Sequence, residues 1–138
     1  MDSAAPTRPH ILAINNSVDV LALFTELLED DGYRVSTQPY VDKDLAAIEA
    51  MAPDLIILDY MWAAEDFGWS LLQMLRMNRG TAQVPIILCT GAIAHVKETQ
   101  DHLMTMKVEV IYKPFEIDHL LDVIRRVLAV EGELAASD

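Results

Sequence analysis

The sequence predicts an α/β domain: a doubly wound, five-stranded parallel sheet covered by helices on both faces. Three observations lead there. Short apolar runs rich in β-branched residues alternate with segments of helical spacing across the 138 residues. The run Leu55-Ile56-Ile57-Leu58 is apolar at every position, the pattern of a strand buried on both faces. The resulting order, with βα repeated five times, requires parallel strands if its crossovers are right-handed.

The elements follow in order. Ile11-Leu12-Ala13-Ile14 forms a first strand that runs into Asn15-Asn16. From Val18 to Asp30, apolar residues at Val18, Leu21, Phe24, Leu27 and Leu28 keep helical spacing, and Gly32 stops the helix. Tyr33 to Thr37 reads as a second strand. Asp42 or Asp44 can cap a helix bearing Leu45, Ile48 and Met51, which ends before Pro53. The third strand closes on Asp59. A loop through Trp62 and Asp66-Phe67-Gly68 leads to a helix with Leu71, Leu72, Met74 and Leu75, ended by Gly80. Val84 to Cys89 forms a fourth strand that runs into Thr90-Gly91. Ala94 to Met106 is a weaker helix with Val96, Leu103 and Met104. Val108 to Tyr112 is a fifth strand that delivers Lys113-Pro114. Ile117, Leu120, Leu121, Ile124 and Leu128 stripe a last helix that starts after Phe115 and fades at Gly132. A single domain is expected over 1–138, with its core at about 10–130 and flexible ends at 1–8 and 131–138.

Composition narrows the function classes. Lys and Arg number 10 against 22 Asp and Glu, a net charge of −12 that works against contacts with a phosphate backbone. No nucleic-acid partner is expected. The apolar content is high, 52%, yet no apolar run approaches the ~20 residues that span a bilayer. The first ten residues are polar and lack the apolar core of a secretory signal. Cys89 is the sole cysteine, so no intrachain disulfide or cysteine metal cluster can form, and a cytoplasmic location fits.

In open α/β sheets, chemistry collects beyond the carboxyl ends of the strands. If the strands are parallel, Asp59, Asn15-Asn16, Thr90 and Lys113 meet at one edge of the sheet. Asp59, Thr90-Gly91 and Lys113-Pro114-Phe115, in that order on successive strands, resemble the receiver domain of two-component response regulators. The resemblance covers about Ile11 to Val130. It implies a flavodoxin-like (CheY-like) fold with strand order 2-1-3-4-5. It also implies that Asp59 is the phosphoacceptor, taking a phosphoryl group from a sensor histidine kinase or a phosphotransfer protein. Thr90 would hydrogen-bond the phosphoryl oxygens, Lys113 would ion-pair with them, and Gly91 would leave them room. The physical logic agrees: a carboxylate attacks phosphorus in line while cations balance the equatorial oxygens.

Several positions depart from the family pattern. Asn15-Asn16 replaces the acidic pair that helps to hold Mg²⁺ in receivers. A neutral amide attracts Mg²⁺ less than a carboxylate does, so weak or absent Mg²⁺ binding is expected. Its candidate ligands are Asn16, Asp59 and the backbone carbonyl of Met61, with Asn15 nearby. Ala63 and Phe67 stand where a Pro and a Gly are usual, and Gly68 follows one position later, which suggests a loop longer by one residue. Val110 occupies the place of the aromatic switch residue, while Tyr112 directly precedes Lys113.

Blander roles compete at each position. Asp59 can cap a turn, Thr90 can cap a helix, and Asn15-Asn16 can serve turn geometry. Cys89 reads as core rather than nucleophile. His95, His102 and His119 lack metal spacing and read as surface. Trp62 is a candidate partner contact. The leading function is a stand-alone or excised receiver that signals by protein docking, with no enzymatic activity beyond self-phosphotransfer to Asp59. The alternative is a phosphorylation-independent pseudo-receiver that acts as an interaction or dimerisation module. A flavin-binding protein of the same fold class would need a phosphate-cradling loop, and Asn15-Asn16-Ser17-Val18 offers little of one. A homodimer through the fourth helix, fifth strand and fifth helix is compatible with the charges on Lys97, Glu98, Asp101 and Lys107.

Overall fold

The computed structural model describes residues 8–15, 17–38, 45–60, 72–90, 108–112 and 116–136. Five strands form one sheet: β1 (His10–Ile14), β2 (Arg34–Gln38), β3 (Leu55–Tyr60), β4 (Ile86–Thr90) and β5 (Val108–Tyr112). All four pairings are parallel, and the order is β2-β1-β3-β4-β5. This is the doubly wound sheet and the strand order expected. The helices are α1 (Val18–Asp30), α2 (Leu45–Met51), the helical residues 72–77 (α3), and a C-terminal helix, Ile117–Ala136.

Strand alternation sorts the core into two layers. Ile11, Ala13, Leu55, Ile57, Ile87, Cys89 and Ile111 pack under Leu21, Phe24 and Leu28 of α1 and under Leu120, Val123, Ile124 and Val127 of the C-terminal helix. Leu12, Ile14, Ile56, Leu58, Ile86, Leu88 and Val108 pack against Ile48 of α2 and against Leu72 and Leu75 of α3. Leu55, Ile56 and Leu58 are wholly buried, and Ile57 is nearly so. The unbroken apolar run of β3 therefore follows from a strand covered on both sides.

Helix α1 shows how closely local sequence sets an element. Ser17 is its N-cap, and the Ser17 hydroxyl accepts the Val20 N–H at 3.3 Å. Asp19 in the first turn complements the helix dipole. At the other end the Gly32 N–H donates to the Glu29 carbonyl and the Tyr33 N–H to the Leu28 carbonyl, a Schellman closure. That closure needs a left-handed residue, which Gly32 supplies at φ +99°. Ala52, at φ +48°, does the same at some cost after α2.

Several strand bounds shift by one residue, and three larger differences from the sequence reading have a physical reason. The fourth strand begins at Ile86 rather than Val84, because residues 81–84 form the turn that leaves α3. Helix α3 ends at 77, ahead of Gly80. There Thr81 intercepts the helix end: its hydroxyl donates to the Leu75 carbonyl at 2.6 Å, and Asn78 Nδ2 donates to Glu49 Oε1 at 2.8 Å, tying the turn to α2. The C-terminal helix continues through Gly132 to Ala136. One glycine costs a helix about 1 kcal/mol, too little to end it among Val, Glu, Leu and Ala. The helix proposed over Ala94 to Met106, the Asp42 and Asp44 caps, and the lengthened loop at Ala63, Phe67 and Gly68 lie outside the described residues.

Two predictions follow from this packing. Thr81 is 1% exposed, so Thr81→Val leaves the Leu75 carbonyl without its partner at nearly constant volume. A loss of about 1–3 kcal/mol in urea unfolding is expected. Tyr33 lies under the C-terminal helix, near Arg125, which pairs with Asp31 at 3.5 Å. Burial raises the Tyr33 phenol above 10.0, the Asp31 charge raises it further, and Arg125 pulls it back. A group whose folded pKa is raised contributes stability below its unfolded pKa and loses it as pH climbs through the folded value. The wild type should therefore lose stability above pH 10.0 more steeply than Tyr33→Phe does, as alkaline denaturation curves of the two would show.

Candidate functional site

The strand order reverses between β1 and β3: β2 lies on one side of β1, while β3, β4 and β5 follow on the other. Such a switch point opens a crevice at the carboxyl ends of the two strands. The register fixes what stands there. Ile14 pairs with Leu58, so Asn15 falls one step on, beside Asp59. Asp59 is in register with Cys89, Tyr60 with Thr90, and Thr90 with Tyr112. Asn15, Asp59 and Thr90 thus converge on one edge, as the sequence predicts. Gly91, Lys113, Asn16, Met61 and Trp62 lie outside the described residues.

Asn15 is the candidate ligand whose side chain can be followed. It is 2% exposed. Its backbone N–H donates to the Gln38 carbonyl at 3.3 Å, which ties it to β2. Its Oδ1 accepts the Ser17 N–H at 2.8 Å. This Asx turn sends the chain from β1 into α1. The turn role that the sequence allowed for Asn15 is therefore filled. One lone pair of that oxygen is thereby engaged, and the neutral amide brings no negative charge to the edge. No cluster of three or more His, Cys, Asp or Glu with metal-binding geometry occurs among the described residues.

Three described residues near the edge, Cys89, Val110 and Tyr112, pack into the core layers. Cys89 is 1% exposed and belongs to the core layer under α1, as expected of a core thiol. Val110 and Tyr112 are half-buried against the other layer. His119 is exposed, whereas His95 and His102 lie outside the described residues.

His10 went unmarked as a functional residue in the sequence, yet it is 6% exposed and fully engaged. Its ring nitrogens meet the Met51 carbonyl at 2.8 Å and Ser36 Oγ at 2.7 Å. Its backbone N–H donates to Asp54 Oδ2 at 2.8 Å. The Met51 contact fixes the tautomer of a neutral ring, since a carbonyl only accepts: Nδ1 carries the proton. His10 stands at the amino edge of the sheet, opposite Asn15, so it fastens β1, β2 and the end of α2 rather than the crevice. Only its place at the start of an apolar run signalled burial.

Comparison with known proteins points one way. The family model for the response regulator receiver domain matches residues 11–125. The nitrogen assimilation regulatory protein NtrX of Azorhizobium caulinodans is 29% identical over 119 residues, which cover 86% of this chain and 26% of NtrX. The DNA-binding dual master transcriptional regulator RpaA of Synechocystis is 29% identical over 120 residues, 87% of this chain and 49% of RpaA. The chain therefore spans about a quarter of one relative and about half of the other. Among solved structures, the chemotaxis response regulator CheY4 of Vibrio cholerae superposes with a TM-score of 0.72 at 25% identity, covering 88% of this chain and 99% of CheY4. NtrX from Brucella abortus superposes at 0.76 with 27% identity, covering 95% of this chain and 29% of that one.

The burial of Cys89 carries its own expectation. Its thiol should stay unreactive toward an aromatic disulfide reagent in the native protein and label fully in urea. Rapid stoichiometric labelling of the folded protein would contradict the packing at this edge.

Proposed function

The chain belongs to the response regulator receiver domain family of two-component signalling, and from that premise we propose that Asp59 is its phosphoacceptor. The observation that carries this reading is the register: Asp59 on β3 stands beside Asn15 and one step from the Tyr60–Thr90 pair, at the switch-point edge. Asp59 takes the phosphoryl group from a sensor histidine kinase or a phosphotransfer protein. Thr90, Gly91 and Lys113 receive its oxygens. The output is docking to a downstream protein, with no reaction catalysed beyond phosphotransfer to Asp59. Trp62 serves as a partner contact in this reading. Pairing of two copies through the fourth helix, β5 and the C-terminal helix belongs to it as well. Glu109 and Arg126 form an exposed ion pair on that face, at 2.9 Å.

Receiver domains commonly hold Mg²⁺ at the phosphorylation site. In this chain the proposal is weak Mg²⁺ binding, since Asn15 is neutral and one lone pair of its oxygen is engaged by the Ser17 N–H. The same observation favours a second reading, a phosphorylation-independent pseudo-receiver that acts as an interaction or dimerisation module. No described helix is long and apolar enough to cross a membrane. The net charge of −12 supports protein rather than nucleic-acid partners for this domain.

Intact mass after incubation with acetyl phosphate separates the two readings. The phosphoacceptor reading expects a stable gain of one phosphoryl group that Asp59→Ala abolishes. A wild type that never gains the group, while still binding its partner, leaves the pseudo-receiver.

A further inference from the structure

The tautomer of His10 fixes more than its own proton. With Nδ1–H on the Met51 carbonyl at 2.8 Å, the neutral ring keeps a lone pair on Nε2, so the Ser36 hydroxyl 2.7 Å away donates to it. A hydroxyl that donates to an imidazole, whose far nitrogen is held by an acceptor, is the arrangement that activates a serine nucleophile. The base is clamped through its backbone as well. The His10 N–H donates to Asp54 Oδ2 at 2.8 Å, and the Asp54 N–H donates to the His10 carbonyl at 2.7 Å. His10 is buried and Ser36 half-buried, so the nucleophile is the more open member of the pair.

Ser36 sits on β2, the outermost described strand on its side of the sheet. The Arg34 N–H turns inward to the Pro9 carbonyl, and the Gln38 carbonyl receives the Asn15 N–H. Peptide groups alternate in direction along a strand, so the N–H groups of Val35 and Thr37 turn to the outer edge. The Thr37 N–H, next in the chain after the nucleophile, is the kind of backbone donor that stabilises a developing oxyanion.

We propose that Ser36 is an acyl-accepting nucleophile, with His10 as its general base and a small activated carboxylic ester as the acyl donor. The reaction is a stoichiometric modification at the amino edge of the sheet, and it is independent of the phosphoacceptor reading of Asp59. Ser36 Oγ attacks the ester carbonyl carbon and forms a new C–O bond, while its proton moves to His10 Nε2. The bond from the acyl carbon to the leaving oxygen breaks. The leaving group departs with the bonding pair and takes the proton from His10.

The probe is p-nitrophenyl acetate. Intact mass should show one acetyl group on the folded wild type, which peptide mapping places on Ser36, and Ser36→Ala should lose it. His10→Gln, which cannot act as the base, should acylate at least about a hundredfold more slowly, the lower end of what a general base supplies. Ser36→Cys gives a second reading without the ester. At about pH 7 its native thiol should label with an aromatic disulfide faster than the same thiol does in urea, since only the fold pairs it with an imidazole. Buried Cys89 should stay unlabelled in the same native sample. A folded wild type with no acetyl group on Ser36 overturns the proposal, as does acylation of folded His10→Gln at the wild-type rate. If His10→Gln does not fold, the Ser36→Cys comparison decides. A native thiol that labels no faster than in urea is closed or unactivated, and the proposal then fails.

Discussion

The constraint on which the structure depends is the double burial of the central strands. Residues 55–58 of β3 have no solvated face, so helices must cover both sides of the sheet, and parallel strands with crossover helices are the way to supply them. With all four pairings parallel, the carboxyl ends of all five strands lie on one edge. The switch-point chemistry is then confined to that edge by topology, before any side chain is chosen. The amino edge is fastened by the His10 ring between Met51 and Ser36.

Much of this was legible because the core strands are nearly pure apolar runs. The five strands and the α1 bounds follow from periodicity and from two strong local signals, the Ser17 cap and the Gly32 turn. The two misplaced helix ends share one cause. Gly80 and Gly132 were read as stops, but a glycine ends a helix only where the backbone must turn left-handed, as Gly32 does. At α3 the ending comes instead from the Thr81 hydroxyl reaching the Leu75 carbonyl, a contact that spacing alone does not announce. His10 escaped for a similar reason. A histidine next to a proline in a polar leader looks solvated, and its burial depends on partners 26 and 41 residues away in sequence.

At the site, the sequence supplied identity and the register supplied adjacency. Asp59 and Thr90 were chosen from the order of strand ends, and the β3–β4 register places their backbones one step apart. What spacing could not say was whether Asn15 serves the turn or the crevice. The structure shows its oxygen in the turn.

The turn does not explain why the residue is asparagine. An Asx turn needs an acceptor, and aspartate supplies one equally well. The fold is thus indifferent between the two, and the difference lies in charge. An aspartate at this buried position, one register step past Ile14 and level with Asp59, would bring a second negative charge to the same edge, which favours a cation there or protonation of one acid. Asparagine keeps the acceptor that the turn needs and removes that charge in one substitution.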